Sequence, residues 1–134
     1  MMSDPFKFEL VSPARLLVSG EVEQVIVPGS EGEMTVLAYH TPLLATLKPG
    51  LLEIGFPGGE RQRYFVRGGF AEVSPAGLTV LAETAVDLNE LDADQLAEAI
   101  KDAEEDVADA AGNARDRAQT KLDQLRQVQA TLNL

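Results

Sequence analysis

A chain of 134 residues, 45% hydrophobic and 25% charged, is near the common size of one domain and has the apolar content for a core. Its formal charge of −11 and pI near 4.4 oppose binding to a phosphate backbone, so nucleic acid is not expected as a partner. The absence of cysteine excludes disulfides, thiolate nucleophiles and Cys-ligated zinc, and a single histidine leaves few routes to a His-rich metal centre.

The N-terminus, MMSDPFKFEL, carries no basic region followed by an apolar stretch, and no run approaches the roughly 18 apolar residues of a bilayer span. A cytosolic address without direct membrane insertion is the expectation. Strand-sized runs then follow in order: FKFELV, RLLVS, VEQVIV, MTVLAY, LLATL, LLEIGF, RYFVR, GFAEV and LTVLA. Turn chemistry separates them at Pro57-Gly58-Gly59, at Gly68-Gly69 and at Ser74-Pro75-Ala76-Gly77. Phe6, Phe8 and Leu10 alternate with Lys7 and Glu9, and Thr79 stands between Leu78 and Val80, so one face of these strands is expected to be buried. Many short strands at close spacing predict a sandwich or barrel.

All seven prolines and ten of the eleven glycines lie at or before Gly77, which marks a boundary. After about Val86 the apolar period changes from 2 to 3.6. Ala93, Leu96, Ala97, Ile100, Ala103 and Val107 form one stripe, and Asp92 with Gln95 makes a capping-box pattern at its start. Gly112-Asn113 reads as a stop and a new cap. Ala114, Ala118, Leu122, Leu125, Val128 and Leu132 form a second stripe. The fold class is therefore α+β: an N-terminal domain of strands over residues 1–87, then an antiparallel two-helix hairpin over residues 88–134. Alanine-rich stripes bury little per residue, about 0.8 kcal/mol per methyl, so the helical hairpin is expected to be loosely held and able to detach. Ten carboxylates against Lys101 between Asp87 and Asp109 give its first helix an acidic face, whereas Arg115, Arg117, Lys121 and Arg126 outnumber Asp116 and Asp123 beyond it.

The chemical motifs are thin. His40 has Tyr39, Thr41 and Glu33 near it in sequence but no nucleophile elbow or comparable constellation, which favours a structural or interface role over catalysis. Glu31 and Glu33 flank a glycine and fall well short of the oxygen shell of a divalent cation. PGSEGE lacks the lysine and hydroxyl of a phosphate loop. No metal and no cofactor are expected.

Taken in order, VIVPGSEGEMTVLAYHTPLLATLKPGLLEI, FVRGGFAEV and LTVLAETA resemble the epsilon subunit of bacterial F-type ATP synthases, called delta in mitochondria. The Pro-Gly-x-Glu-Gly loop, His-x-Pro-Leu segment, Leu-Lys-Pro-Gly turn, Gly-Gly-Phe turn and final Val-Leu-Ala strand match over about Phe6 to Ala85, and a two-helix tail follows. The resemblance implies a flattened antiparallel β-sandwich and a noncatalytic rotor subunit at the foot of the central stalk, on the cytoplasmic side of the bacterial inner membrane. Its implied partners are the gamma subunit and the polar loops of the c-ring, with Glu31, Gly32, Glu33 and His40 at positions facing the c-ring.

Three departures accompany the resemblance. Many members read Gly-x-Leu-Pro-Gly-His where this chain has Thr35-Val36-Leu37-Ala38-Tyr39-His40, so the turn is expected to be rebuilt. ATP-binding members resemble Ile/Leu-Asp-x-x-Arg-Ala where this chain has Leu91, Asp92 and then Gln95 in place of the arginine, so ATP sensing is not expected. Arg115, Arg117, Lys121 and Arg126 are the residues that the resemblance offers to the catalytic alpha and beta subunits for inhibition. They make a modest patch beside an acidic helix, and pairing with that helix is the competing reading. An adaptor of another complex, and a small enzyme built around His40, are the rival functions.

Overall fold

The computed structural model describes residues 4–134, and the first three residues of the predicted 1–87 domain lie outside that range. Eight strands precede two helices: β1 (Phe6–Val11), β2 (Leu16–Val22), β3 (Gln24–Gly29), β4 (Gly32–Val36), β5 (Leu43–Thr46), β6 (Gly50–Gly55), β7 (Arg61–Ser74), β8 (Gly77–Asp87), α1 (Ala93–Asp109) and α2 (Gly112–Leu132). The chain divides into two compact units between Leu88 and Asn89.

The strands form one hydrogen-bonded path, β2-β1-β8-β7-β6-β3-β4, with β5 added to β7. Pairing is antiparallel except between β1 and β8, where Phe8 to Val11 run parallel to Leu78 to Leu81. β7 and β8 hold the path together, and both change the side that faces the core. Along β7, Tyr64 and Val66 point inward before Gly68-Gly69, and Ala71 and Val73 after it, a switch from even to odd positions. Along β8, Leu78, Val80 and Ala82 point inward, followed by the partly buried Ala85. Successive strand residues face opposite sides, so a parity change means that the strand has twisted over. The two halves of β7 thus serve different layers: Arg61–Val66 pair with β6 and Phe70–Val73 with β5. The result is a β-sandwich whose inner faces share one core, fed by Phe8, Leu10, Val22, Val25, Val27, Val36, Leu52 and Ile54 together with the β7 and β8 residues.

The strand boundaries differ from those expected in three places. Gly68-Gly69 looked like a break between two strands, yet the ladder with β8 continues through it in constant register. The glycines adopt φ of 73° and 100°, a left-handed backbone that other residues avoid, and so permit the twist without ending the strand. Likewise VEQVIV spans the end of β2 and the start of β3, with Glu23 at the bend, and MTVLAY is a strand only to Val36.

In the C-terminal unit the capping box is present as expected. Asp92 Oδ1 accepts from the Gln95 amide at 2.8 Å and Gln95 Oε1 from the Asp92 amide at 3.1 Å. The buried residues are Leu96, Ala99, Ile100 and Ala103 on α1 and Leu122, Leu125 and Val128 on α2. The stripe on α1 is rotated from the predicted one: Ala93 and Ala97 are exposed and Ala99 takes their place. Gly112-Asn113 is not the cap. α2 starts at Gly112 behind Ala111, whose methyl offers no oxygen to the first amides. At the other end Asn133 closes α2 in a left-handed conformation, donating its amide to Ala130.

Candidate functional site

The Glu31 region is a two-residue β-turn between β3 and β4. Gly29 pairs with Gly32, leaving Ser30 and Glu31 at the tip. The base of this turn is buried at Pro28 and Gly29, and it is fastened by the Ser30 amide donating to Thr46 O at 2.8 Å and the Lys48 amide donating to Pro28 O at 3.0 Å. Glu31, Gly32 and Glu33 are exposed on this rigid base, and among the described residues neither carboxylate enters an ion pair. Two exposed negative charges on a fixed turn suit a cationic partner.

β4 then runs along the free edge of the sheet, and the chain is exposed at 31, 33, 35, 37 and 39. His40 therefore stands at the far end of β4 from Glu31. Five strand residues separate them, roughly 16 Å at 3.3 Å per residue. The residues grouped by the family resemblance occupy the two ends of one edge and not a single cluster.

The residues that depart from the family pattern form a turn at the far end. The His40 amide donates to Leu37 O at 3.2 Å and closes Leu37-Ala38-Tyr39-His40. Its third residue, Tyr39, takes φ of 66°, where glycine or asparagine is favoured. The Tyr39 hydroxyl donates to Asp4 Oδ2 at 3.2 Å, and the side chain is otherwise open, 91% exposed. His40 is half-buried, with Nδ1 2.8 Å from the Thr41 carbonyl oxygen. A carbonyl only accepts, so Nδ1 carries the hydrogen, and among the described residues no side chain is hydrogen-bonded to the ring. Beside this turn lies an open groove of about 500 Å³ lined by Phe6, Leu37, Tyr39, Pro42, Val73 and Pro75 among others.

The register reveals a surface that the sequence reading missed. Leu16 pairs with Val11, Val11 with Leu81, Leu81 with Phe70, and Phe70 with Thr46, so one row crosses β2, β1, β8, β7 and β5. These positions alternate with core residues, and the row therefore lies on the outer face. Leu16 is 53% exposed, and Leu44, two residues from Thr46 on β5, is 67% exposed. The only sequence signal was apolar residues at both parities, as in LLATL and LTVLA.

On the C-terminal unit, Arg115, Arg117 and Lys121 are exposed, while Arg126 meets Glu104 of α1 at 3.2 Å. Of the four cations, Arg126 alone makes the cross-helix pair that the competing reading required. Asp92 and Gln95 are engaged with each other's backbone in the cap, and Leu91 is half-buried. No helix is long and apolar enough to cross a membrane among the described residues.

The family description "ATP synthase, Delta/Epsilon chain, beta-sandwich domain" matches residues 5–88. The ATP synthase epsilon chain of Parvibaculum lavamentivorans is 52% identical over 132 residues, covering 98% of this chain and all of that one. The chain belongs to the ATP synthase epsilon chain family. The epsilon chain of Mesorhizobium japonicum is 49% identical over 98% of both chains. A chain in the Euglena gracilis mitochondrial ATP synthase structure of OSCP, F1 and c-ring superposes with a TM-score of 0.76 at 28% identity, covering 98% of this chain and 84% of that one. A chain of the Tetrahymena thermophila central stalk and c-ring shares the fold, with a TM-score of 0.73 at 15% identity over the full length of both. Within this family, the Glu31 tip, the β4 edge and the outer apolar row are the surfaces to be assigned.

Proposed function

We propose that this epsilon-family chain is a noncatalytic rotor subunit of the F-type ATP synthase, linking gamma to the c-ring and coupling proton translocation to ATP synthesis. The observation that supports this is a pair of distinct exposed surfaces on one sandwich. A rigid acidic tip at Glu31 and Glu33 suits the polar loops of a c-ring, and the outer row of Leu16, Val11, Leu81 and Phe70 suits the larger apolar contact with gamma. His40, at the other end of β4, belongs to the same c-ring-facing edge. The chain sits peripherally on the cytoplasmic side of the membrane.

The C-terminal unit is not needed for coupling in this reading. Its cations are few, one is already paired with Glu104, and its capping side chains are engaged, so neither inhibition of hydrolysis by way of the alpha and beta subunits nor ATP binding is assigned to it. The test is reconstitution of the synthase without the chain, with it, and with residues 88–134 removed. Coupling restored by the truncated chain supports the proposal. Uncoupled hydrolysis in the presence of the full chain contradicts it, and a rise in ATPase rate on truncation assigns inhibition to the helices.

A further inference from the structure

Tyr39 is held in a conformation that its own chain does not repay. Its φ of 66° is unfavourable for an aromatic residue, its ring is 91% exposed, and its one side-chain hydrogen bond among the described residues is a 3.2 Å contact with the exposed Asp4. An aromatic ring in open solvent beside an exposed Leu37, at the rim of a groove of mixed lining that includes Phe6, Pro42, Lys7 and Glu21, buries its apolar area only when something covers it. Tyrosine is also among the residues that most often anchor protein interfaces.

The position of the ring indicates the occupant. It lies at the end of the exposed edge that begins with Glu31 and Glu33, and the exposed alternate positions along this edge, Glu31, Glu33, Thr35, Leu37 and Tyr39, include two carboxylates and no cation. A partner running along this edge meets negative charge first and then an aromatic face, and a basic side chain is attracted by both. We infer that Tyr39 is a contact residue for the c-ring, its ring receiving an Arg or Lys of a c-ring loop at the end of the β4 edge opposite Glu31. The inference rests on the c-ring docking proposed above and adds a second anchor to it. The backbone strain at Tyr39 is then the consequence of presenting an aromatic ring where a glycine would close the turn more easily.

The test measures binding of the full-length chain to a detergent-solubilised c-ring–gamma subcomplex and to gamma alone. Tyr39→Gly and Tyr39→Asn, which both accept positive φ, are expected to melt at or above the parent temperature, yet bind the subcomplex at least tenfold more weakly. Tyr39→Phe keeps the ring, discards the hydroxyl and is expected to bind within twofold of the parent. Binding of all three to gamma alone is expected to be unchanged. Parent-strength binding of Tyr39→Gly to the subcomplex overturns the inference while leaving c-ring docking intact, and so does an equal loss against gamma alone. Failure of the parent chain to gain affinity when the c-ring is added to gamma overturns the docking reading and this inference together.

Discussion

Gly69 and Leu81 approach so closely across β7 and β8 that a Cβ on Gly69 would fall on the Leu81 carbonyl oxygen. The contact is backbone to backbone, so no rotamer change relieves it, and φ of 100° adds strain for any side chain. Gly69→Ala is expected to destabilise the sandwich by about 2–4 kcal/mol, in the range of overpacking combined with an adverse backbone conformation. Gly20→Ala, which meets nothing within 4 Å, is the control and is expected to be neutral or slightly stabilising. Urea denaturation of the two variants tests the pair, and equal midpoints would show that the twist of β7 does not depend on Gly69.

The helical unit offers an opposite case, in which a missing group can be supplied. Ala111 leaves the first amides of α2 without a side-chain acceptor. Ala111→Asp is expected to add about 1 kcal/mol, from capping and from a negative charge at the positive end of the helix. Slower hydrogen exchange of the α2 amides is the readout. An unchanged rate would mean that packing of Leu122, Leu125 and Val128, and not fraying at the start, limits the opening of this helix.

Phe70→Glu places a charge in the middle of the outer apolar row. The position faces away from the core, so the stability is expected to change by no more than an exposed substitution usually allows, about 0.5 kcal/mol. Affinity for gamma is expected to fall at least 30-fold, the loss of a hot spot worth about 2 kcal/mol. Calorimetric titration with gamma measures it, and full affinity would remove this face from the interface.

Charge reversal at the acidic tip is a separable test. Glu33→Lys is expected to weaken docking to the c-ring several-fold at low salt and less at high salt, because an exposed charge acts mainly through screened attraction. Coupling of proton pumping to ATP hydrolysis in reconstituted vesicles should fall with it. Unchanged coupling at every salt concentration would separate Glu33 from the ring.

Much of the fold was legible because local chemistry and global architecture agree. The alternation of Phe6, Phe8 and Leu10 fixed which face is inward, and the Asp92–Gln95 cap formed as its spacing required. What escaped depends on pairs distant in sequence. The outer row joins residues 11, 16, 46, 70 and 81, and only the register of five strands brings them into line. Gly68-Gly69 misled for a related reason: glycine marks turns and strand twists alike, and the neighbouring strand decides between them. At Tyr39 the sequence marked a turn but not its strain, since nothing local disclosed that the ring remains in solvent.

The parallel pairing of β1 with β8 also bears on how the chain is made. Phe8 waits for Leu78, 70 positions later, before the sheet can close beside it. At ribosomal speeds of about 5–20 residues per second, that is a delay of roughly 4–14 s. During this interval β1 has only β2 as a strand partner, and the core around Phe8, Leu10 and Val22 is completed once β8 has left the exit tunnel. Synthesis from the N-terminus thus makes first a strand whose pairing is completed last, and a nascent chain stalled before Gly77 is expected to aggregate more readily than the finished one.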